Sequence, residues 1–97
     1  LQMCIRDRSI MNSQLLLDTS RILNELVMYS NQNVEVEFKK YNDGNVVCEF
    51  WHYSSHYQYG CQSLKFRNID SINKMKQKLE VAKKVIAGEC LIDEQLI

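Results

Sequence analysis

The stretch VEVEFKKYNDGNVVCEF, residues 34–50, decides the fold that the sequence predicts. Apolar residues occupy every second position in both of its halves, and this period of two is typical of β-strands with one buried face. Asp43 and Gly44 lie between the halves, and glycine readily adopts the positive φ that a tight turn requires. The stretch therefore predicts an antiparallel hairpin.

The turn of this hairpin allows two registers. A two-residue turn pairs Tyr41 with Val46, whereas a type I turn followed by a glycine bulge pairs Tyr41 with Asn45. We predict the bulged form because it brings the apolar residues of both strands onto one face. That face then contains Val36, Phe38, Cys48 and Phe50.

One helix is predicted before the strands in the sequence and one after them. Apolar residues recur at three- and four-residue steps over residues 13–29, and Asn12 or Ser13 can cap the first turn. A second periodic stretch begins near Asn68 and ends before Gly88, a residue typical of the position after a helix. Its apolar residues are Ile69, Ile72, Met75, Leu79, Ala82, Val85 and Ile86.

A third strand is predicted over residues 57–63, after a turn at residues 54–55. This register buries Tyr59 and places Cys48 directly opposite Cys61. The two cysteines can form a disulfide or pack as reduced thiols. We favour reduced thiols, because the sequence shows no secretion signal and such chains usually keep cysteines reduced.

The order α-β-β-β-α predicts an α+β domain with two layers. Three antiparallel strands form a meander, and both helices pack on one face of it. Residues 1–8 contain QMCIRDR, which resembles the translation of a sequencing-library adapter and implies an assembled metagenomic sequence. We interpret them as an artefact and predict a single domain over residues 9–97. Within it, residues 89–97 either pack as a short turn or form a loose or truncated tail.

Charge and hydropathy limit the class of protein. The 12 Lys and Arg residues balance the 12 Asp and Glu residues, so no overall charge favours nucleic acid. No apolar run approaches the roughly 18 residues that a membrane-spanning helix needs. The expected location is the cytoplasm, with no contact to a membrane.

Cys48, His52, His56 and Cys61 are residue types that bind zinc. On one strand, however, Cys48 and His52 would lie about 13 Å apart, whereas zinc holds its ligand atoms at about 2.0–2.3 Å. The chain also lacks the motifs of hydrolases, metalloproteases and nucleotide-binding proteins. We therefore predict no catalytic residue, no metal site, no cofactor and no enzyme activity.

The uncovered face of the predicted sheet is the main candidate for a binding surface. It would expose Trp51 and Tyr53 beside the carboxylates of Glu35, Glu37 and Glu49. Exposed aromatic residues are typical of protein interfaces, so we expect an unknown protein partner or a second copy of the chain. The full predicted face is Glu35, Glu37, Lys39, Val47, Glu49, Trp51, Tyr53, His56, Gln58 and Gln62.

A nucleic-acid surface on the second helix is the alternative. The order α-β-β-β-α resembles that of double-stranded RNA-binding domains, which implies phosphate contacts from the second helix. Those domains use a lysine pair at the start of this helix, whereas the present sequence there is SLKFRNIDSIN. Their phosphate-binding residues therefore have no counterpart here. The lysines of the predicted surface are Lys74, Lys76, Lys78, Lys83 and Lys84.

Overall fold

The computed structural model of the protein describes residues 2–93, with side chains from residue 12 onward. The strands form one antiparallel sheet in the order β1-β2-β3. This arrangement confirms the predicted α+β class and the order α-β-β-β-α. The elements are α1 (Gln2–Met28), β1 (Val34–Lys40), β2 (Val46–Tyr53), β3 (Cys61–Arg67) and α2 (Ile72–Ile86).

The first hairpin has the predicted register. The N–H group of Tyr41 donates to the carbonyl of Asn45 at 2.8 Å, and Gly44 has a φ of 89°. Phe38 pairs with Cys48 across the two strands, as the bulged turn requires. Phe38 nevertheless remains 46% exposed, because it lies on the outermost strand of the sheet.

The second hairpin differs from the prediction. Tyr53 pairs with Cys61 and Cys48 pairs with Phe66, so residues 54–60 form a longer connection than the expected turn. The predicted pairing of Cys48 with Cys61 is wrong, and both are free cysteines. The shift by an odd number of residues moves every β3 side chain to the other face.

Hydrophobic burial explains the observed register. Leu64 and Phe66 are fully buried, whereas Tyr59 is 84% exposed in the connection. The N–H group of Ser54 donates to the carbonyl of Gly60 at 3.0 Å and closes the connection before β3 begins. The sheet thus buries two apolar side chains that the predicted turn would have turned towards solvent.

Both helices start at different residues from those predicted. α1 begins at Gln2, so a cap at Asn12 or Ser13 is wrong; no glycine or proline interrupts the preceding residues. α2 begins after Ser71, whose hydroxyl accepts the N–H group of Lys74 at 3.1 Å. Asn68 instead extends the sheet, because its N–H group donates to the carbonyl of Val46.

The helices pack on one face of the sheet, which we call the covered face. The core contains Leu16 and Leu23 from α1 and Met75, Ala82 and Val85 from α2. Ile92 is 4% exposed and joins this core, whereas the neighbouring residues 89–91 and 93 are exposed. Residues 94–97 lie outside the described part. The covered face consists of Val34, Val36, Phe38, Cys48, Phe50, His52, Gln62, Leu64 and Phe66.

Candidate interaction surface on the open sheet face

The opposite side of the sheet has no helix packed on it, and we call it the open face. Side chains alternate between faces along each strand, so the residues between those of the covered face define it. The open face consists of Glu35, Glu37, Lys39, Val47, Glu49, Trp51, Tyr53, Cys61, Ser63, Lys65 and Arg67.

An aromatic pair lies at one end of this face. The rings of Trp51 and Tyr53 are stacked, with centroids 6.4 Å apart and an angle of 18° between their planes. The hydroxyl of Tyr53 donates to Glu35 Oε1 at 3.0 Å. This hydrogen bond is the main cause of a raised pKa of Tyr53, because it favours the protonated hydroxyl. The pair is therefore held in position before any partner arrives.

Two further carboxylates lie beside the aromatic pair. Glu37 and Glu49 are directly opposite each other on neighbouring strands. Lys39 Nζ lies 3.3 Å from Glu37 Oε1, and the hydrogen bond to Glu37 is the main cause of a raised pKa of Lys39. The expectation that Glu49 is exposed is wrong: it is 7% exposed, because strands flank the central strand on both sides.

Three residues of the predicted face lie elsewhere. His56 and Gln58 belong to the connection between β2 and β3, and Gln62 lies on the covered face opposite His52. Sequence reasoning missed Ser63, Lys65 and Arg67, which complete the face on β3. The alternation of SLKFR is a local signal for them, but the predicted third strand ends at Ser63.

The lysines of α2 do not form one surface. Lys74, Lys76, Lys83 and Lys84 are exposed, but Lys78 is 5% exposed. Its Nζ lies 2.8 Å from Asp70 Oδ2, and this ion pair satisfies the buried charge. The prediction that Lys78 offers its charge to nucleic acid is therefore wrong.

A basic groove, lined by Lys65, Arg67, Lys74 and Ser71 among others, runs beside β3 and the start of α2. It is an open cavity of about 670 Å³. Asp70 also lines this groove, but its carboxylate is bound by Lys78. The groove therefore presents a net positive charge.

Three of the four residues considered as zinc ligands point in different directions. Cys48 lies on the covered face, Cys61 on the open face, and His56 in the connection. Within residues 2–93, no group of three or more His, Cys, Asp or Glu side chains could hold a metal ion. Burial raises the pKa of the Cys48 thiol to about 12, so it carries no thiolate for nucleophilic chemistry.

His52 belongs to a buried hydrogen-bond chain. The N–H group of Ile92 donates to the Tyr57 hydroxyl oxygen at 2.8 Å, and that hydroxyl lies 2.7 Å from His52 Nδ1. The hydroxyl proton is thus directed to Nδ1, and the Nε2 proton faces Gln32 Oε1 at 3.4 Å. Burial lowers the pKa of His52, which keeps the imidazole neutral. The chain joins four segments and is structural.

Comparison of the chain with protein-family models, with curated proteins and with solved structures gives no match. In the part of the chain that the structure describes, no helix has the length and apolar character needed to cross a membrane.

Proposed function

We propose that the protein is a non-enzymatic interaction module that binds a protein partner through the open face. The observation that carries this proposal is the stacked pair of Trp51 and Tyr53, fixed by the hydrogen bond to Glu35. Binding orders side chains at an entropic cost, and aromatic residues already held in place reduce that cost. Such anchors are typical of the centre of protein interfaces.

The charges beside the aromatic pair favour a basic partner. Glu35 and Glu37 are exposed there, whereas Glu49 is buried and lies opposite Lys65 on β3. A lysine or arginine of the partner would pair with Glu35 or Glu37 while the aromatic pair contacts its apolar side chains. We therefore propose a partner segment that carries both apolar and basic residues.

The dimensions of the face favour a short segment. Three strands about 4.8 Å apart, with about seven residues at ~3.4 Å each, give a face of roughly 14 by 24 Å. A standard interface buries about 800 Å² on each partner, which is more than this face offers. One amphipathic helix, about 10–12 Å in diameter, fits its width.

We propose that this binding takes place in the cytoplasm. Cys48, Cys61 and Cys90 are free cysteines, which is the state that a reducing compartment maintains.

The test compares proteins captured by immobilised wild type and by Trp51→Ala. Tyr59→Ala is the matched control, because Tyr59 is 84% exposed in the connection and belongs to neither face. We expect wild type and Tyr59→Ala to retain the same partner, and Trp51→Ala to lose it. Equal capture by all three proteins would contradict binding through the open face.

Nucleic-acid binding is a second candidate, favoured by the basic groove. Its three exposed cations, Lys65, Arg67 and Lys74, line one open cavity. Binding to a short RNA duplex would weaken steeply with added salt if phosphates were contacted. Lys74→Gln should then weaken binding more than Lys76→Gln, whose side chain is exposed outside the groove. An absence of binding at low salt would remove this candidate.

A further inference from the structure

The two outer edges of the sheet differ in their hydrogen bonding. On β3, the carbonyl of Lys65 accepts a hydrogen bond from Lys78 Nζ at 2.5 Å. The N–H group of Arg67 donates to Asp70 Oδ2 at 3.1 Å. The buried Lys78–Asp70 ion pair thus occupies backbone groups that a further strand would need, so the β3 edge is closed.

The edge of β1 is open. Asn33 accepts a backbone hydrogen bond from Tyr53 of β2, and Tyr41 donates one to Asn45 just before β2, so the odd-numbered residues between them face β2. The even-numbered residues of β1 (Val34–Lys40) therefore direct their N–H and C=O groups outward. Across residues 2–93, no strand or side chain pairs with these outward groups.

An apolar side chain accompanies the unpaired backbone. Phe38 is on the covered face, yet it is 46% exposed at the β1 edge. β1 contains no proline, and the charged side chains that protect many sheet edges are here of both signs, so they can pair with those of a second strand. A strand placed beside β1 would supply hydrogen bonds and cover Phe38 together.

We propose that β1 pairs antiparallel with β1 of a second copy of the chain, with Phe38 opposite Phe38 on the two-fold axis. Glu37 of each copy then lies opposite Lys39 of the other, so the sequence VEVEFKK is complementary to itself. The outward groups of Val36, Phe38 and Lys40 become hydrogen-bonded across the axis.

Neighbouring registers are less favourable. In an antiparallel pair, side chains directly opposite each other lie on the same face of the sheet. A two-fold axis between two residues would place an open-face residue opposite a covered-face residue, so the axis must pass through a residue. An axis at Glu37 places Glu37 opposite Glu37, and an axis at Val36 places Glu35 opposite Glu37 of the other copy. Only the axis at Phe38 sets opposite charges together without such a like-charge pair.

The edge and the open face are different surfaces, so this inference does not rest on the proposed function. The dimer has a continuous six-stranded sheet whose two open faces lie side by side. Each copy therefore keeps Trp51 and Tyr53 available, and the combined face is twice as wide.

The experiment measures the mass of the intact chain by light scattering over a range of protein concentrations. Wild type should approach twice the mass of one chain as concentration rises. Glu37→Lys or Lys39→Glu alone creates two like-charge pairs in the dimer and should raise its dissociation constant at least ~10-fold. The double variant Glu37→Lys with Lys39→Glu restores both opposite-charge pairs and should dimerise like wild type.

Mixing provides the decisive test of the register. An equimolar mixture of Glu37→Lys and Lys39→Glu should form a heterodimer. One variant has lysine at both positions 37 and 39 and the other has glutamate at both, so each lysine lies opposite a glutamate. A wild type that keeps the mass of one chain, or a mixture that stays monomeric while wild type dimerises, would overturn the proposal. Circular dichroism checks that each variant is folded.

Two further variants keep the test independent of folding and of the open face. Phe38→Lys changes a side chain that is already 46% exposed and should dissociate the dimer without unfolding the chain. Trp51→Ala should leave the mass unchanged. A dimer that survives Phe38→Lys would overturn the edge pairing, and one that dissociates with Trp51→Ala would move the contact to the open face.

Discussion

Phe50 and Trp51 are neighbours on the central strand, yet they lie on opposite faces of the sheet. Phe50 is fully buried beneath both helices, whereas Trp51 is only partly covered by its neighbours on the open face. Of these two large aromatic residues in one strand, one belongs to the core and the other to the surface. The position of the helices, and not residue type, therefore separates core residues from surface residues here.

The two sides of the sheet also treat charge differently. Where helix and sheet meet, Lys78 is paired with Asp70, and His52 is kept neutral on the covered face. On the open face, Glu35 and Glu37 remain exposed, and each accepts a hydrogen bond from one neighbour. Burial makes an unpaired charge costly, so the charges that a partner could meet lie on exposed surfaces such as the open face.

Substitution of the two aromatic neighbours should give the largest effect on stability and the clearest difference between the two faces. Phe50→Ala removes a fully buried ring and should lower the free energy of unfolding by about 3–5 kcal/mol. Trp51→Ala should lower it by about 1 kcal/mol or less, because its ring packs on one side only. Urea unfolding followed by circular dichroism measures both. Similar losses in the two variants would mean that both faces belong to the core.

The buried ion pair should show the next largest effect. Asp70→Asn leaves Lys78 without a carboxylate in a buried position and should cost about 3 kcal/mol. Glu80→Gln is the control, because it removes the exposed Glu80–Lys83 ion pair and should change stability by about 0.5 kcal/mol or less. Urea midpoints of the two variants test this difference. An unchanged midpoint for Asp70→Asn would show that the pair is accessible to water.

The two hairpins show how far the sequence predicts the fold. Asp43 and Gly44 fix the first turn locally, so its register follows from short-range conformational preference. In the second hairpin, HYQYG alternates like a strand but forms part of the connection. The burial of Leu64 and Phe66 under the helices decides that register, because the local alternations of HYQYG and SLKFR compete and sequence alone does not choose between them.

The candidate site was predictable to a similar degree. Trp51, Tyr53, Glu35 and Glu37 lie on the predicted face because they belong to the hairpin with the correct register. The β3 residues were missed with the second register. The burial of Lys78 depends on its contact with Asp70, eight residues earlier. Helical periodicity does not predict this tertiary contact.

The two histidines should differ in their effect on stability at low pH. The pKa of His52 is lowered by burial, so below its ordinary pKa of about 6.5 the unfolded chain binds a proton that the folded chain does not. Stability therefore falls as the pH drops below about 6.5, by at most ~1.4 kcal/mol per pH unit for one proton.

Urea unfolding at several pH values tests the assignment. His56→Asn removes the exposed histidine and should keep this pH dependence, while His52→Asn should remove its share. The same slope in wild type and His52→Asn would contradict the role of the buried imidazole.

Rates of thiol labelling should distinguish the covered face from the open face without a substitution that changes stability. Cys48 lies on the covered face with a pKa raised to about 12 by burial, and Cys61 lies partly exposed on the open face. Because the thiolate is the reactive form, iodoacetamide should modify Cys90 and then Cys61, and reach Cys48 only after unfolding. Peptide mapping by mass spectrometry measures each rate. If Cys48 reacted as fast as Cys61 in the folded protein, the helices would have to leave the sheet on that timescale, and the open and covered faces would no longer differ in kind.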